Sequence, residues 1–123
     1  MSLDQYQQTQ TTVERPREME YRAFSKVTAR LIEAAQKNDD ERAFINNAVH
    51  ENRQFWLALA QDCASDKNLL PLETRATIVH LSRWISQYSR EILRRGDSIE
   101  PLIDVNRIMM DGLAGRAPSD DAA

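Results

Sequence analysis

Apolar side chains along this chain recur three and four positions apart, the spacing that lines one face of an α-helix. Between residues 17 and 36 the stripe is Tyr21, Phe24, Val27, Thr28, Leu31, Ile32 and Ala35, with Arg22, Lys26, Arg30 and Glu33 opposite. Pro16 stands where a helix start accepts it. Asn38-Asp39-Asp40 interrupts the pattern and offers N-cap side chains to a helix over 41–64. The stripe of that helix is Phe44, Ala48, Phe55, Leu59 and Cys63, flanked by Ile45, Val49 and Trp56. Asn47, Glu51 and Asn52 break it in mid-helix, which reads as the wet part of a groove. After Ser65-Asp66-Lys67-Asn68 a helix over 72–95 carries Leu72, Ala76, Val79, Ile85, Tyr88 and Ile92. Ile78, Leu81, Trp84 and Leu93 widen that stripe, so this helix is expected at the centre of a bundle.

Gly96 is the expected stop, with Arg94 and Arg95 placed well for the helix dipole. Ser98 then caps a helix over 101–113, striped by Leu102, Val105, Met109 and Leu113 with Ile108 alongside. A helix that short does not hold by itself in water and must dock on a neighbour. A further helix over 3–13 carries Leu3, Tyr6 and Val13 within a stretch that is mostly Gln and Thr. The same stretch is open to a second reading, as an arm that orders on a partner. The expectation is an all-α fold: a single small bundle of four to five helices over residues 1–113, with 114–123 as a tail.

Composition adds exclusions. The three Gly and four Pro are few for a turn-rich β fold. No apolar run approaches the ~20 residues of a membrane span, and the N-terminus lacks the basic and apolar regions of a secretory signal. The lone Cys63 allows no internal disulfide, which fits a cytoplasmic protein. The net charge of −3 argues against a strongly basic nucleic-acid binder. Charge is nevertheless segregated. Residues 71–95 hold five Arg against Glu73 and Glu91, while 97–123 hold six acids against Arg107 and Arg116. The simplest arrangement packs the acidic last helix beside the basic one. The other leaves Arg75, Arg83, Arg90, Arg94 and Arg95 as a basic face for an acidic partner.

No catalytic or metal constellation emerges. His50 and His80 lack a second ligand at metal-site spacing, and Cys63 lies on an apolar stripe where a thiol packs rather than reacts. Phosphate-binding and nucleophile-elbow motifs are absent. Asp62 and Asp66, one turn apart near a helix end, are expected to form hydrogen bonds or to meet Arg75. Neither an enzyme, a cofactor nor a small-molecule ligand is indicated. What remains is contact with other macromolecules. Trp56 and Trp84 fit core packing first and contact anchors second. Tyr6, Met109, Met110 and Leu113 complete the candidate partner-binding set; two adjacent Met on a helix point about 100° apart, so one is expected to be more exposed.

Particular residues carry a family likeness: Tyr6 in the Gln-rich start, Arg17-x-x-Glu20, and Asn52-x-x-Phe55-Trp56-x-x-Leu59-x-x-Asp62. Asn68-x-Leu70-Pro71-x-x-x-Arg75-Ala76, Leu81-x-x-Trp84, and Pro101-Leu102-Ile103-Asp104-Val105-Asn106 leading to Met110-x-Gly112-Leu113 follow in order. With them the chain resembles the FlaF family of alphaproteobacterial flagellar biosynthesis regulators over about residues 3–113. The resemblance implies a cytoplasmic, non-enzymatic protein needed for filament assembly. It implies action on flagellin, as a secretion chaperone or a translation regulator, beside a second small regulator, FlbT. An alternative is control of flagellin mRNA, directly through the basic face or indirectly through FlbT. The negative charge and the lack of an RNA-binding motif argue against the direct route.

Overall fold

Helix boundaries follow the local signals closely. The computed structural model describes residues 21–113, and the expected helix over 3–13, Tyr6, residues 17–20 and the tail 114–123 lie outside them. Helix α1 is described over residues 21–35, and a short 3-10 turn, Asp39–Glu41, leads into α2, Arg42–Cys63. Helix α3 spans Leu72–Arg95 and α4 spans Glu100–Leu113, with no strand among the described residues. The fold is therefore all-α, a small helical bundle. Ser98 caps α4 as expected, its Oγ accepting the Glu100 amide at 3.2 Å. Asn38 stands at the cap position of the 3-10 turn with the extended backbone usual there, but its side chain bonds no helix amide. The 3-10 turn instead joins the loop to α2 through the Glu41 amide on the Asn38 carbonyl.

Gly96 ends α3 in the left-handed conformation, φ 72, its amide on the Ile92 carbonyl at 2.8 Å. A Cβ there would meet Arg42 Nη2 at an ordinary 3.5 Å, so the obstacle is backbone strain alone. Gly96→Ala is expected to cost about 1–2 kcal/mol. Gly112, with open space around its Cα, is the opposite case, and Gly112→Ala should gain roughly 0.5 kcal/mol or slightly more. Thermal melts of both variants check the signs.

Helices α2 and α3 form an antiparallel hairpin with a narrow seam. On α2 the buried positions include Ile45, Val49, Asn52, Trp56, Leu59 and Cys63; on α3 they are Ile78, Ser82, Ile85, Ser89 and Ile92. Apart from the additional buried Ala48 on α2, both series alternate steps of four and three, the spacing of a coiled-coil seam. The serines alternate with isoleucines, and small side chains there let the backbones approach. Ser82 Oγ donates to the Trp56 carbonyl at 3.3 Å. The hairpin is also cross-capped. Arg42, in the first turn of α2, donates from Nη2 to the Ile92 carbonyl at 2.7 Å near the end of α3. Arg75, in the first turn of α3, donates from Nη1 to the Ser65 carbonyl at 3.3 Å just past α2. A cation is poorly placed at the start of its own helix, but each lies at the negative end of its neighbour.

The seam corrects the expected stripes. Leu72 is 74% exposed, while Ile78, expected at the margin, is in the core. Likewise Trp56 rather than Phe55 lies at the centre of α2. The central helix is α2, not α3. Its one flank meets α1: Phe24 packs edge-on to Phe55 and Trp56 with centroids 4.6 and 5.4 Å apart, and Arg30 pairs with Glu51 at 3.1 Å. Arg30 and Lys37 also cover the Phe44 ring. Its other flank meets α3, and α4 lies across its buried face. Helix α3 was expected to be central because Ile78, Leu81, Trp84 and Leu93 widen its stripe, but of these only Ile78 is buried, Leu81 and Trp84 being half-buried and Leu93 exposed.

Candidate functional site

Beneath α4 lies a buried polar layer. Asn106, fully buried in the stripe of α4, donates from Nδ2 to Thr28 Oγ1 at 3.0 Å and to Asn52 Oδ1 at 2.8 Å. Its Oδ1 accepts from Trp56 Nε1 at 2.9 Å. One side chain thus ties α4 to α1 and twice to α2. Asn52 Nδ2 is buried without a partner among the described residues. This corrects the reading of Asn47, Glu51 and Asn52 as a wet groove. Asn47 faces solvent, Glu51 is engaged by Arg30, and Asn52 is sealed in the core. It also removes Trp56 from the exposed candidates: at 0% exposure, with its N–H engaged inside, it offers no surface to a partner.

Trp84 remains on the surface. It stacks on Tyr88, ring centroids 5.2 Å apart and planes within 7°, on the flank of α3 that faces α4. Tyr88 fixes that flank by donating its hydroxyl to the Ser98 carbonyl at 2.6 Å. Asn106 sits at the level of Trp56 and Ser82 and Ser98 at that of Tyr88, so α4 runs antiparallel to α3. At about 100° per residue, Val105 and Met109 then turn toward α3, and Met110 turns with Ile103 toward α1. Met109, Met110 and Leu113 are all half-buried against the core, so neither Met is clearly the exposed one. Ile108 is 64% exposed beside them. A depression of about 420 Å³ adjoins the aromatic pair and is bordered by Gln87, Arg90, Glu91 and Arg94.

Partial burial pushes the Tyr88 phenol above its ordinary pKa of 10.0, and the nearby Asp97 carboxylate pushes the same way. A folded-state value above the unfolded one stabilises the fold fully below the unfolded pKa, and that stability is lost as pH rises through the folded value. Urea titrations at about pH 8 and about pH 11 should therefore show a larger alkaline loss for the parent protein than for Tyr88→Phe.

The five arginines of the expected basic face are not equivalent. Arg75 turns inward to the Ser65 carbonyl, and Arg95 is held by Glu91 and Asp97. Arg83, Arg90 and Arg94 are exposed along one ridge. Among the described residues no ion pair joins α3 to α4, so the charges of these helices are not offset by direct contacts. Asp62 accepts from Asn68 Nδ2 at 2.9 Å rather than meeting Arg75. Arg53, half-buried on α2, joins the basic side of the hairpin. Sequence reasoning passed over it because its neighbours in that face belong to another helix. Among the described residues no group of three or more His, Cys, Asp or Glu is placed to hold a metal, and no helix is long and apolar enough to cross a membrane.

These features define a small helical bundle with an aromatic flank, an arginine-lined side and a polar layer that seats its last helix. The family model described as flagellar protein FlaF matches residues 2–113, and the chain belongs to that family. Neither a curated protein nor a solved structure matches it.

Proposed function

We propose that this protein binds flagellin in the cytoplasm and supports its secretion and filament assembly, without catalysing a reaction. The observation that carries the reading, beside family membership, is the stacked Trp84–Tyr88 pair held half-exposed on the α3–α4 flank. A flat aromatic surface fixed by a hydroxyl bond offers large contact area at small entropic cost. Val105 and Met109 extend it, and Met adapts to helices of varied shape. An amphipathic flagellin segment laid along this flank would have its apolar face covered before assembly. Any effect on flagellin translation then runs through the bound flagellin or through FlbT.

The test is binding of purified flagellin, followed by calorimetry. Trp84→Ala is expected to weaken it at least tenfold, the loss of about 1.4 kcal/mol or more typical of a buried aromatic anchor. Arg95→Gln, a change on a residue already held by its own acids, should leave binding as it was. Flagellin affinity unchanged by both Trp84→Ala and Met109→Ala would remove this flank from the interaction.

A further inference from the structure

A second surface lies on the opposite side of the hairpin, where no described helix covers it. The contacts of Glu51 and Phe55 place α1 on one flank of α2, and the Tyr88–Ser98 bond places α4 on the far flank of α3. The remaining flanks of α2 and α3 meet in an outer groove. Leu57 and Ala60 lie along it from α2 and Val79 from α3. At its lower end it opens into a depression of about 530 Å³ lined by residues of both helices, Ala64, Leu72, Arg75, Val79 and Arg83 among them.

Its charge is one-sided. Arg42 and Arg53 rise from α2, Arg75, Arg83 and Arg90 from α3, whereas Glu51 and Asp62 point to the α1 flank and Glu73 and Glu91 to the other side of α3. Asp66, at the rim of the depression, is the acid nearest to it. Arg53, Arg83 and Arg90 make no ion pair among the described residues. Four buried polar atoms along this groove have no hydrogen-bond partner among the described residues: Asn46 Oδ1, Arg53 Nε, Arg75 Nε and Ser86 Oγ. The register set by the Ser82–Trp56 bond puts Arg53 opposite Ser86. Two of the four atoms belong to Arg53 and Arg75, whose guanidinium groups the protein itself therefore satisfies only in part.

We infer that this groove docks an acidic amphipathic helix of another protein, its apolar positions on Leu57, Ala60 and Val79 and its carboxylates on Arg53, Arg83 and Arg90. The groove from Asn46 to Ala64 follows about 27 Å of helix axis, which matches a helix of some 18 residues. Guanidinium groups favour carboxylates and phosphates alike. Among its described residues the groove carries no Phe, Tyr or Trp and a single imidazole, His80, whereas single-stranded nucleic acid is usually held by successive stacking rings as well as by charge. Interleaved aliphatic positions select a peptide helix instead.

The test places the photo-crosslinking residue benzoylphenylalanine at Leu57 of the full chain, which is 40% exposed, in the bacterium that encodes it. The cross-linked peptide is then sequenced by mass spectrometry. The expected product is a helix-forming segment of net negative charge. Its yield should fall at least tenfold with Arg53→Glu/Arg83→Glu, and clearly with the milder Arg53→Gln/Arg83→Gln, while Trp84→Ala leaves it unchanged. Circular dichroism melts of the Gln pair establish that the loss is not unfolding. A neutral or basic segment, a nuclease-sensitive adduct, no adduct, or a yield indifferent to both arginine pairs in folded protein overturns the inference. Because Trp84→Ala probes the other flank, failure here and failure of flagellin binding there are separate results.

Discussion

Replacing Asn106 by alanine should lower the stability of the protein by about 3–5 kcal/mol, since three buried groups lose their partner together and each unsatisfied one costs roughly 1–3 kcal/mol. The groups are Thr28 Oγ1, Asn52 Oδ1 and Trp56 Nε1, on α1 and α2. The low end applies where Thr28 Oγ1, an acceptor in this bond, finds another donor. Asn52→Ala is expected to cost less, about 1–2 kcal/mol, because one bond is lost and the unpartnered Nδ2 goes with it. Urea unfolding followed by circular dichroism gives both values, and the ranking is the decisive result. Equal costs, or a cheaper Asn106→Ala, would show that α4 is held by its Leu102 and Ile103 contacts and not by the polar layer. Such a layer also has a second consequence. An unmatched polar group in an apolar seam is expensive, so the layer penalises any shift of α4 along its seat and sets its register.

Trp56→Ala is the second large effect, expected at about 4 kcal/mol or more, from the cavity left by a fully buried indole. It also removes the edge-on contact with Phe24 and leaves Asn106 Oδ1 without its donor. Trp84→Ala, at a half-buried site, should cost far less stability while weakening partner binding. The two tryptophans therefore separate cleanly in a paired experiment: denaturation reports Trp56 and binding reports Trp84. Single-tryptophan variants add a spectroscopic check, because Trp56 should emit at shorter wavelength than Trp84 and stay shielded from quencher until the protein unfolds. A Trp56→Ala variant as stable as the parent would contradict the buried placement of that ring.

The aromatic flank depends on these two core residues indirectly. Trp56 and Asn106 hold α4 against α2, and α4 in turn stands beside Trp84 and Tyr88 through the Ser98 carbonyl. Loss of flagellin binding in Asn106→Ala would thus report a displaced α4, whereas loss in Trp84→Ala with an unchanged melt reports the contact itself.

The expected cap at Asn38 was not formed, whereas the all-helical class, the limits of α2, α3 and α4, and the roles of Ser98 and Gly96 were legible in the residues alone. They follow from local physics: a period near 3.6, a serine that accepts the first free amide of α4, a glycine that adopts φ 72 without a Cβ penalty, and too few Gly and Pro for anything but helices. The two tryptophans were not separable in the sequence: both fitted core packing first, and only the structure buries Trp56 and leaves Trp84 half-exposed. What the chain could not disclose was which edge of each broad stripe faces inward. Periodicity gives a helix an apolar side, but a stripe wider than its seam can rotate by a few tens of degrees and satisfy the same pattern. Only packing against the neighbouring helix chose Ile78 over Leu72 and Trp56 over Phe55. The buried role of Asn106 and Asn52, the cross-capping by Arg42 and Arg75, and the meeting of Arg53 with the α3 arginines were decided by the tertiary structure for a related reason. Each depends on a partner between 10 and 78 positions away, and the chain carries no local mark of which distant group will satisfy a polar side chain.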